Sequence, residues 1–302
     1  MNRLVLPGLS GASPLGFLAS LGLLRLVHER SKATRLGFLT DGSFSAFVDG
    51  NADDMGGLVA EDAARAEEDQ AWRLEYSKQE KNGVKIVADL KAPPPAFAAF
   101  LARCVDGWCT GRGDAVAYAA AFGTEVAFDL SKGNTKPTAL HFTAANQQFL
   151  GIVEEIRGSV TAEWATQSLF EGHAARRGSN LRWDPAAERN WALMANKPSV
   201  DGTQVDAPLE WLAFRALPLL PCFPRGGRII TTGVSGRGDD MRLTWPLWSM
   251  GASLPTVRSL LQTEWAGAPR ARAARGVFAV CTSAIRRTSQ GFGNFGPAVV
   301  SP

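Results

Sequence analysis

"RLVLPGLSGASPLGFLASLGLLRLVHERSKATRLGFLTDGSFSAFVDG", residues 3–50, decides the fold class. Its opening, RLVLPGL, reads as a short strand. Ser13 then stands where an N-cap belongs and Pro14 where a first helical residue belongs, because proline lacks the N–H that a first turn leaves unpaired. Phe17, Leu18, Leu21, Leu24 and Val27 recur at helical spacing, and Ala19 and Gly22 supply small contacts for close packing, so this helix is core. After it, Asp41-Gly42 sits between alternating apolar runs, the strongest short-range hairpin signal. Strand, helix and hairpin in one unit predict an α+β fold, with mixed or antiparallel sheet elements packed on helices.

Working outward, residues 51–72 read as an acidic helix with a solvated face, in which seven carboxylates from Asp53 to Asp69 stand against Arg65 alone. "LKAPPPAF" reads as a linker or hinge and a helix follows over about 95–107. "ANQQFLGIVEEIRG" reads as an amphipathic helix closed by Gly158. In "LRWDPAAERNWALMANKPS", residues 181–199, Leu181, Trp183, Trp191 and Leu193 flank Asp184-Pro185, as two short strands or a strand and bend with the rings on a buried face. "VDAPLEWLAFRALPLLPCFP" is a nearly all-apolar, buried helix capped by Asp206 and ended by Pro218, Pro221 and Pro224. Strands near 228–234, 242–248 and 276–287 and a helix around 255–265 complete the chain. These features divide it into an N-terminal α/β lobe over 1–92, a mainly helical middle over 93–224 and a basic, β-rich lobe over 225–302, arranged as lobes or as one continuous domain.

The 302 residues are 45% apolar, enough for a real core, so disorder is not expected over most of the length. Four cysteines do not make a disulfide scaffold, and the apolar N-terminal run is too short and too interrupted for a signal peptide or a span, so a cytoplasmic setting without membrane contact is expected. The net charge of +3 identifies no partner, but its distribution is uneven. Residues 201–302 carry 11 cations against 6 carboxylates, and all 11 are arginine, whose planar fork suits phosphate and base edges.

Three motifs fail on context. "GFGNFG" at Gly291–Gly296 matches a dinucleotide-binding pattern, yet only six residues follow, leaving no room for the helix and acidic residue such a site needs. It reads as a flexible loop or tail whose Phe292 and Phe295 can stack on something flat. Cys104 and Cys109 lack a second ligand pair for zinc, Cys222 and Cys281 read as small core residues, and neither a metal nor another cofactor is expected. His28 at a helix end, His141 in "ALHFT" and His173 beside a basic cluster each have a structural reason to be there. Asp184 reads as a turn opener and Glu188–Arg189 as a local ion pair, with nothing to desolvate either carboxylate for acid–base work.

The basic elements remain: Arg225, Arg228, Arg237 and Arg242 in "PRGGRIITTGVSGRGDDMR", Arg270, Arg272 and Arg275 in "APRARAARG", and Arg286, Arg287 and Gln290 in "SAIRRTSQGFGNFG". Arginine among Gly, Ser and Thr provides the donors that phosphate contacts use, although a Gly-rich loop carrying Arg is equally a solvated hairpin tip.

Three segments together resemble a family encoded beside CRISPR arrays, that of type I-U (also called I-G) systems. They are "LPGLSGASPLGFLASLGLLRLV", "LHFTAANQQFLGIVEEIRG", and "LRWDPAAERNWALMANKPS" leading into "LEWLAFRALPLLPCFP". The resemblance implies a non-catalytic effector subunit, similar in role to the large subunit of Cascade. Such a subunit would hold CRISPR RNA and engage target DNA near its protospacer-adjacent motif, beside other effector subunits, while a separate helicase-nuclease cuts. Under that reading the nine arginines of the last third named above grip phosphates, joined by Lys197, while Gln290, Asn294 or Asn196 contact base edges and Phe292 or Phe295 wedges or stacks. Two alternatives stand beside it: a metal-independent CRISPR RNA endonuclease with His28 or His173 as base, and an adaptor docking through the acidic helix without nucleic acid.

Overall fold

The structure is a computed structural model that describes residues 2–50, 54–65, 72–81, 83–129, 131–144, 146–172, 174–187, 203–265 and 269–302. Strand β1 (Arg3–Ser10), helix α1 (Pro14–Arg30) and strands β2 (Arg35–Phe38) and β3 (Ser45–Asp49) form the expected strand–helix–hairpin unit, with an antiparallel sheet in the order β1-β3-β2. Ser13 is extended (φ −101°, ψ 135°) and α1 begins at Pro14. In the hairpin loop the Asp41 carboxylate accepts from the Ser43 amide at 3.0 Å and Gly42 takes φ +87°.

Helix α2 (Met55–Arg65) and the hairpin β4 (Glu75–Glu80) and β5 (Gly83–Ala88) follow. Next come α3 (Pro94–Cys109), α4 (Gly113–Phe122), and the pair β6 (Gly123–Phe128) and β7 (Thr135–Pro137). Helices α5 (Phe149–Ser159) and α6 (Ala162–Phe170), the short pair β8 (Arg176–Arg177) and β9 (Gln204–Val205), and helix α7 (Ala207–Ala216) complete the middle of the chain. The last part holds the hairpin β10 (Cys222–Arg225) and β11 (Arg228–Thr231), then β12 (Val234–Ser235), β13 (Arg242–Trp248), α8 (Leu254–Leu261), α9 (Pro269–Ala274), β14 (Val277–Arg287) and β15 (Gly293–Ser301). Helices interleaved with small antiparallel sheets make this an α+β fold, as its sequence implies.

Two helices form the centre. Helix α1 is buried on all sides from Pro14 to Val27 and α7 along its whole length. They cross where Gly22 meets Leu212; a Cβ on Gly22 would lie 1.7 Å from the Leu212 carbonyl oxygen, so only glycine permits the approach. Asp206 caps α7 by accepting from the Leu209 amide at 3.3 Å. Phe214 sits among the rings of Trp72, Tyr118 and Trp211, with centroids 5.1, 5.2 and 5.7 Å away.

The C-terminal sheet, β12-β13-β14-β15, closes the other side of α1. Phe17 stacks on Trp245 at 5.5 Å, and the Trp245 and Trp248 indoles donate to the carbonyls of Gly11 (2.8 Å) and Leu36 (2.6 Å). One cluster of buried apolar side chains therefore runs from Leu6 to Phe295.

Local readings needed correction at four places. The prolines of "APPPA" do not make a linker: Pro93 is the N-cap of α3 and Pro94 and Pro95 lie in its first turn, where a missing N–H breaks no helical bond. Gly158 does not close α5, which continues to Ser159. After the buried Trp183, Asp184 opens the expected bend by accepting from the Ala186 amide at 2.9 Å and Pro185–Ala187 form a 3-10 turn, but residues 181–183 do not form a strand. Glu188, Arg189, Trp191 and Leu193 lie outside the described residues. Helix α2 is not a purely solvated face, since Asp62 is buried against α7.

Among the described residues no helix is long and apolar enough to cross a membrane.

Candidate nucleic-acid interface

Alternation along the C-terminal sheet separates two faces. Leu243, Trp245, Cys281, Ser283, Ile285 and Phe295 point into the core and are buried. The opposite face carries Arg242, Thr244, Thr282, Arg286, Asn294 and Val299. Arg286 pairs directly with Asn294 across β14–β15. Arg242 pairs with Ala284, which puts Arg286 at the diagonal position on the same face, about 7–8 Å away. Arg242 and Arg286 are exposed and Asn294 half-buried. Arg237 follows β12 on the turn beside this row and is exposed too. Neither Arg237 nor Arg242 makes an ion pair among the described residues, although Asp239 and Asp240 share their turn. Two guanidinium groups and an amide in a row, on a rigid sheet open to solvent, match the fork-on-phosphate geometry of backbone contacts.

A second basic element adjoins this face. In "PRGGR", Gly226 and Gly227 both have positive φ (+56° and +70°), the requirement of the tight turn whose twist matches a hairpin. Phe223 pairs with Ile230 and Arg225 with Arg228, so by the two-residue period all four share one face, with the arginines at the tip. The hairpin tip read from the sequence is present, and it continues into β12.

Other expectations are overturned. "GFGNFG" is no loose tail: Thr288–Gly291 turn the chain and Gly293 pairs with Arg287 as β15 begins. Phe295 is fully buried against Phe142 and cannot stack on a ligand. Phe292 is half-buried beneath the Arg182 guanidinium, 4.6 Å from its ring centroid, so any wedge role requires Arg182 to move. Arg287 donates to the carbonyls of His141 (3.2 Å) and Ala139 (2.9 Å), and burial lowers its pKa; it staples β14 to that loop and is not held ready for phosphate.

The arginines also do not gather on one surface. Arg270, Arg272 and Arg275 lie around α9, which leads into the Val277 end of β14, whereas Arg242 and Arg286 lie at the far end, roughly 23–30 Å along the strand. Arg272 donates to the Pro302 carbonyl at 3.1 Å. Gln290 is exposed at the β14–β15 tip. Asn196, Lys197 and His173 lie outside the described residues.

Histidine chemistry follows burial. His141 is fully buried, its Nε2 2.8 Å from Asp89, and burial lowers its pKa. His28 departs from the expectation that a helix end favours its charge: burial, then Lys32, Arg258 and Arg35, lower its pKa. Burial pushes the Cys104 and Cys281 thiols up to about 11 and about 12, as suits core residues, whereas Cys222 is half-buried and Cys109 exposed. Among the described residues no group of three His, Cys, Asp or Glu is placed to hold a metal ion.

The sequence reading missed two polar groups of α7. Arg215 is buried where α1, α2 and α4 converge, its Nη1 3.1 Å from the Tyr118 hydroxyl and its Nη2 3.1 Å from Glu29. Its Nε lies 3.1 Å from Asp62 at an angle outside hydrogen-bond range, so that contact is coulombic. Arg25 bridges the same cluster, pairing with Asp114 at 2.8 Å and donating to the Arg215 carbonyl. The cluster floors a cleft of ≈ 730 Å³.

Glu210, one turn earlier, is fully enclosed and accepts from the Leu181 amide at 3.3 Å. Burial pushes its pKa up to about 8. Between pH 6.5 and 8 the folded chain keeps a proton that an unfolded glutamate has lost, so stability falls as pH rises. The slope should approach about 1.4 kcal/mol per pH unit. His141 and His28, with lowered values, are neutral in both states across most of this window. Urea melts at pH 6.5 and 8 should show the loss in the wild type and a flatter response in Glu210→Gln; equal slopes would assign the pH dependence elsewhere.

No family model matches the chain, and no curated protein matches it significantly.

Proposed function

We propose that the chain is a non-catalytic, nucleic-acid-binding subunit of a Cascade-like CRISPR effector, working in antiviral defence beside other effector subunits and a helicase-nuclease. The observation that carries nucleic-acid contact is the solvent face of the C-terminal sheet, where Arg242, Arg286 and Asn294 stand in adjacent positions with Arg237 beside them. Its place in a CRISPR complex rests on the three resembling segments. These now have a physical role as scaffold: "SPLGFLASLGLLRLV" is the central helix α1, "EWLAFRA" its partner α7, and Trp183 anchors beneath by donating to the Leu140 carbonyl at 2.9 Å. CRISPR RNA and target DNA near the protospacer-adjacent motif are the ligands of this reading.

Anisotropy titrations with repeat RNA, single-stranded DNA and duplex DNA test it. Binding is expected that weakens steeply from about 50 to about 200 mM salt, because phosphate contacts release counterions. Absence of binding at the lower salt would overturn the proposal. Repeat RNA is expected to remain intact; cleavage abolished by His28→Ala would replace this reading with the endonuclease, for which the neutral His28 among Lys32, Arg35 and Arg258 is the favouring observation.

A further inference from the structure

Beside the basic sheet face lies a groove of ≈ 600 Å³, walled by the β10–β11 hairpin, by β12 and the start of β13, and by the C-terminal end of α8. Its volume is that of a site for a small-molecule-sized group, in the range of about 300–1,000 Å³. Phe223 and Ile230 form the hairpin wall, Leu261 faces them from α8, Ser235, Thr244 and Gln262 add polar edges, and Glu264 is the one carboxylate of the lining. Phe223 is 47% exposed, an open aromatic face; Trp108 and Phe128 are also exposed, but neither lines this groove.

Charge brackets this half-apolar groove on two sides. Arg225 and Arg228 extend the same hairpin face as Phe223 and Ile230, one step toward the tip. On the other side Ser235, a groove residue, pairs with Arg242, and Arg237 follows two residues later. All four guanidinium groups are exposed, and none makes an ion pair among the described residues. An aromatic ring and amide in a slot, with unpaired cations before and after it, is complementary to a single strand whose base turns inward while its phosphates stay at the rim. A duplex would present phosphates alone and leave the slot unfilled.

We infer that this groove receives an unpaired nucleobase of single-stranded nucleic acid, stacked on Phe223, with flanking phosphates held by Arg225 and Arg228 on one side and Arg237 and Arg242 on the other. The inference rests on the nucleic-acid reading above and specifies the form of ligand that reading leaves general. Ser235 and the Gln262 amide meet the base edge.

Short single-stranded RNA and DNA oligonucleotides, intact or with one abasic position moved along the strand, test the inference against wild type, Phe223→Ala and Phe223→Trp. In the wild type one abasic position should weaken binding about tenfold. Phe223→Ala should cost about the same with intact strands and nothing further with that abasic strand, and Phe223→Trp should restore the base dependence. Phe223 lies outside the core, so unchanged thermal melting checks that the variants fold. If the abasic and Phe223→Ala losses add in full, or Phe223→Ala binds as wild type, the groove is not the base site although the basic face stands. If the wild type binds no single strand, this inference falls, and the nucleic-acid reading falls with it if duplex DNA is not bound either.

Discussion

Replacing Arg215 with alanine is expected to lower the stability of the chain by about 3–5 kcal/mol, the cost of removing one partner from a buried charge cluster. Arg215 is 8% exposed and touches Tyr118, Glu29, Asp62 and Asp114, which come from α4, α1, α2 and α4 again. Without the guanidinium, the Asp62 carboxylate, in a site 7% exposed, retains the Trp211 indole at 3.0 Å as its hydrogen-bond donor among the described residues. Arg215→Lys should recover only part of the loss, because one ammonium cannot reach partners spread around a planar fork. Urea denaturation measures both; a loss below about 1 kcal/mol for Arg215→Ala would mean that the cluster hydrates when opened and does not hold the helices together.

This cluster also shows where sequence reading stops. Helix α7 is legible as buried because its apolar residues surround the axis, and its Asp206 cap follows from local spacing. What Arg215 and Glu210 bond to is set by residues up to 186 positions away, and no local pattern carries that information. The elements of the N-terminal strand–helix–hairpin were legible, since the Pro14 start, apolar period and Asp-Gly turn are all near neighbours, although Ser13 makes no side-chain capping bond and the pairing of β1 with β3 has no local signal. Strand β15 was not: its glycines and Pro297 resemble a tail until the pairing of Gly293 with Arg287 and the burial of Phe295 are known.

The candidate interface was half legible. Arginine spacing marked Arg242 and Arg286, but only strand register shows them on one face. Register likewise removes Arg287, turned onto the 139–142 loop, and places α9 at the opposite end of the sheet. Arg182, which covers Phe292, had no signal in the sequence beyond its charge.

The double variant Arg242→Glu with Arg286→Glu is therefore expected to weaken nucleic-acid binding by about 10- to 100-fold at low salt. Both side chains are exposed at the end of the sheet, and thermal melting of the double variant checks that it folds. Arg270→Glu with Arg275→Glu changes the same charge at the other end of β14 and should cost much less, which separates a localised contact from a general effect of net charge. If both pairs weaken binding equally, the protein attracts nucleic acid through its overall charge and the sheet face has no special part.

The slope of log affinity against log salt concentration, measured for wild type and for the Arg242/Arg286 double variant, tests the central claim most directly. Each lost phosphate contact flattens that slope by about 0.7 for a single strand and about 0.9 for a duplex, so the variant should be shallower by about 1.4–1.8. Superimposable slopes would show that these two arginines touch no phosphate, and the basic sheet face would cease to be the binding site.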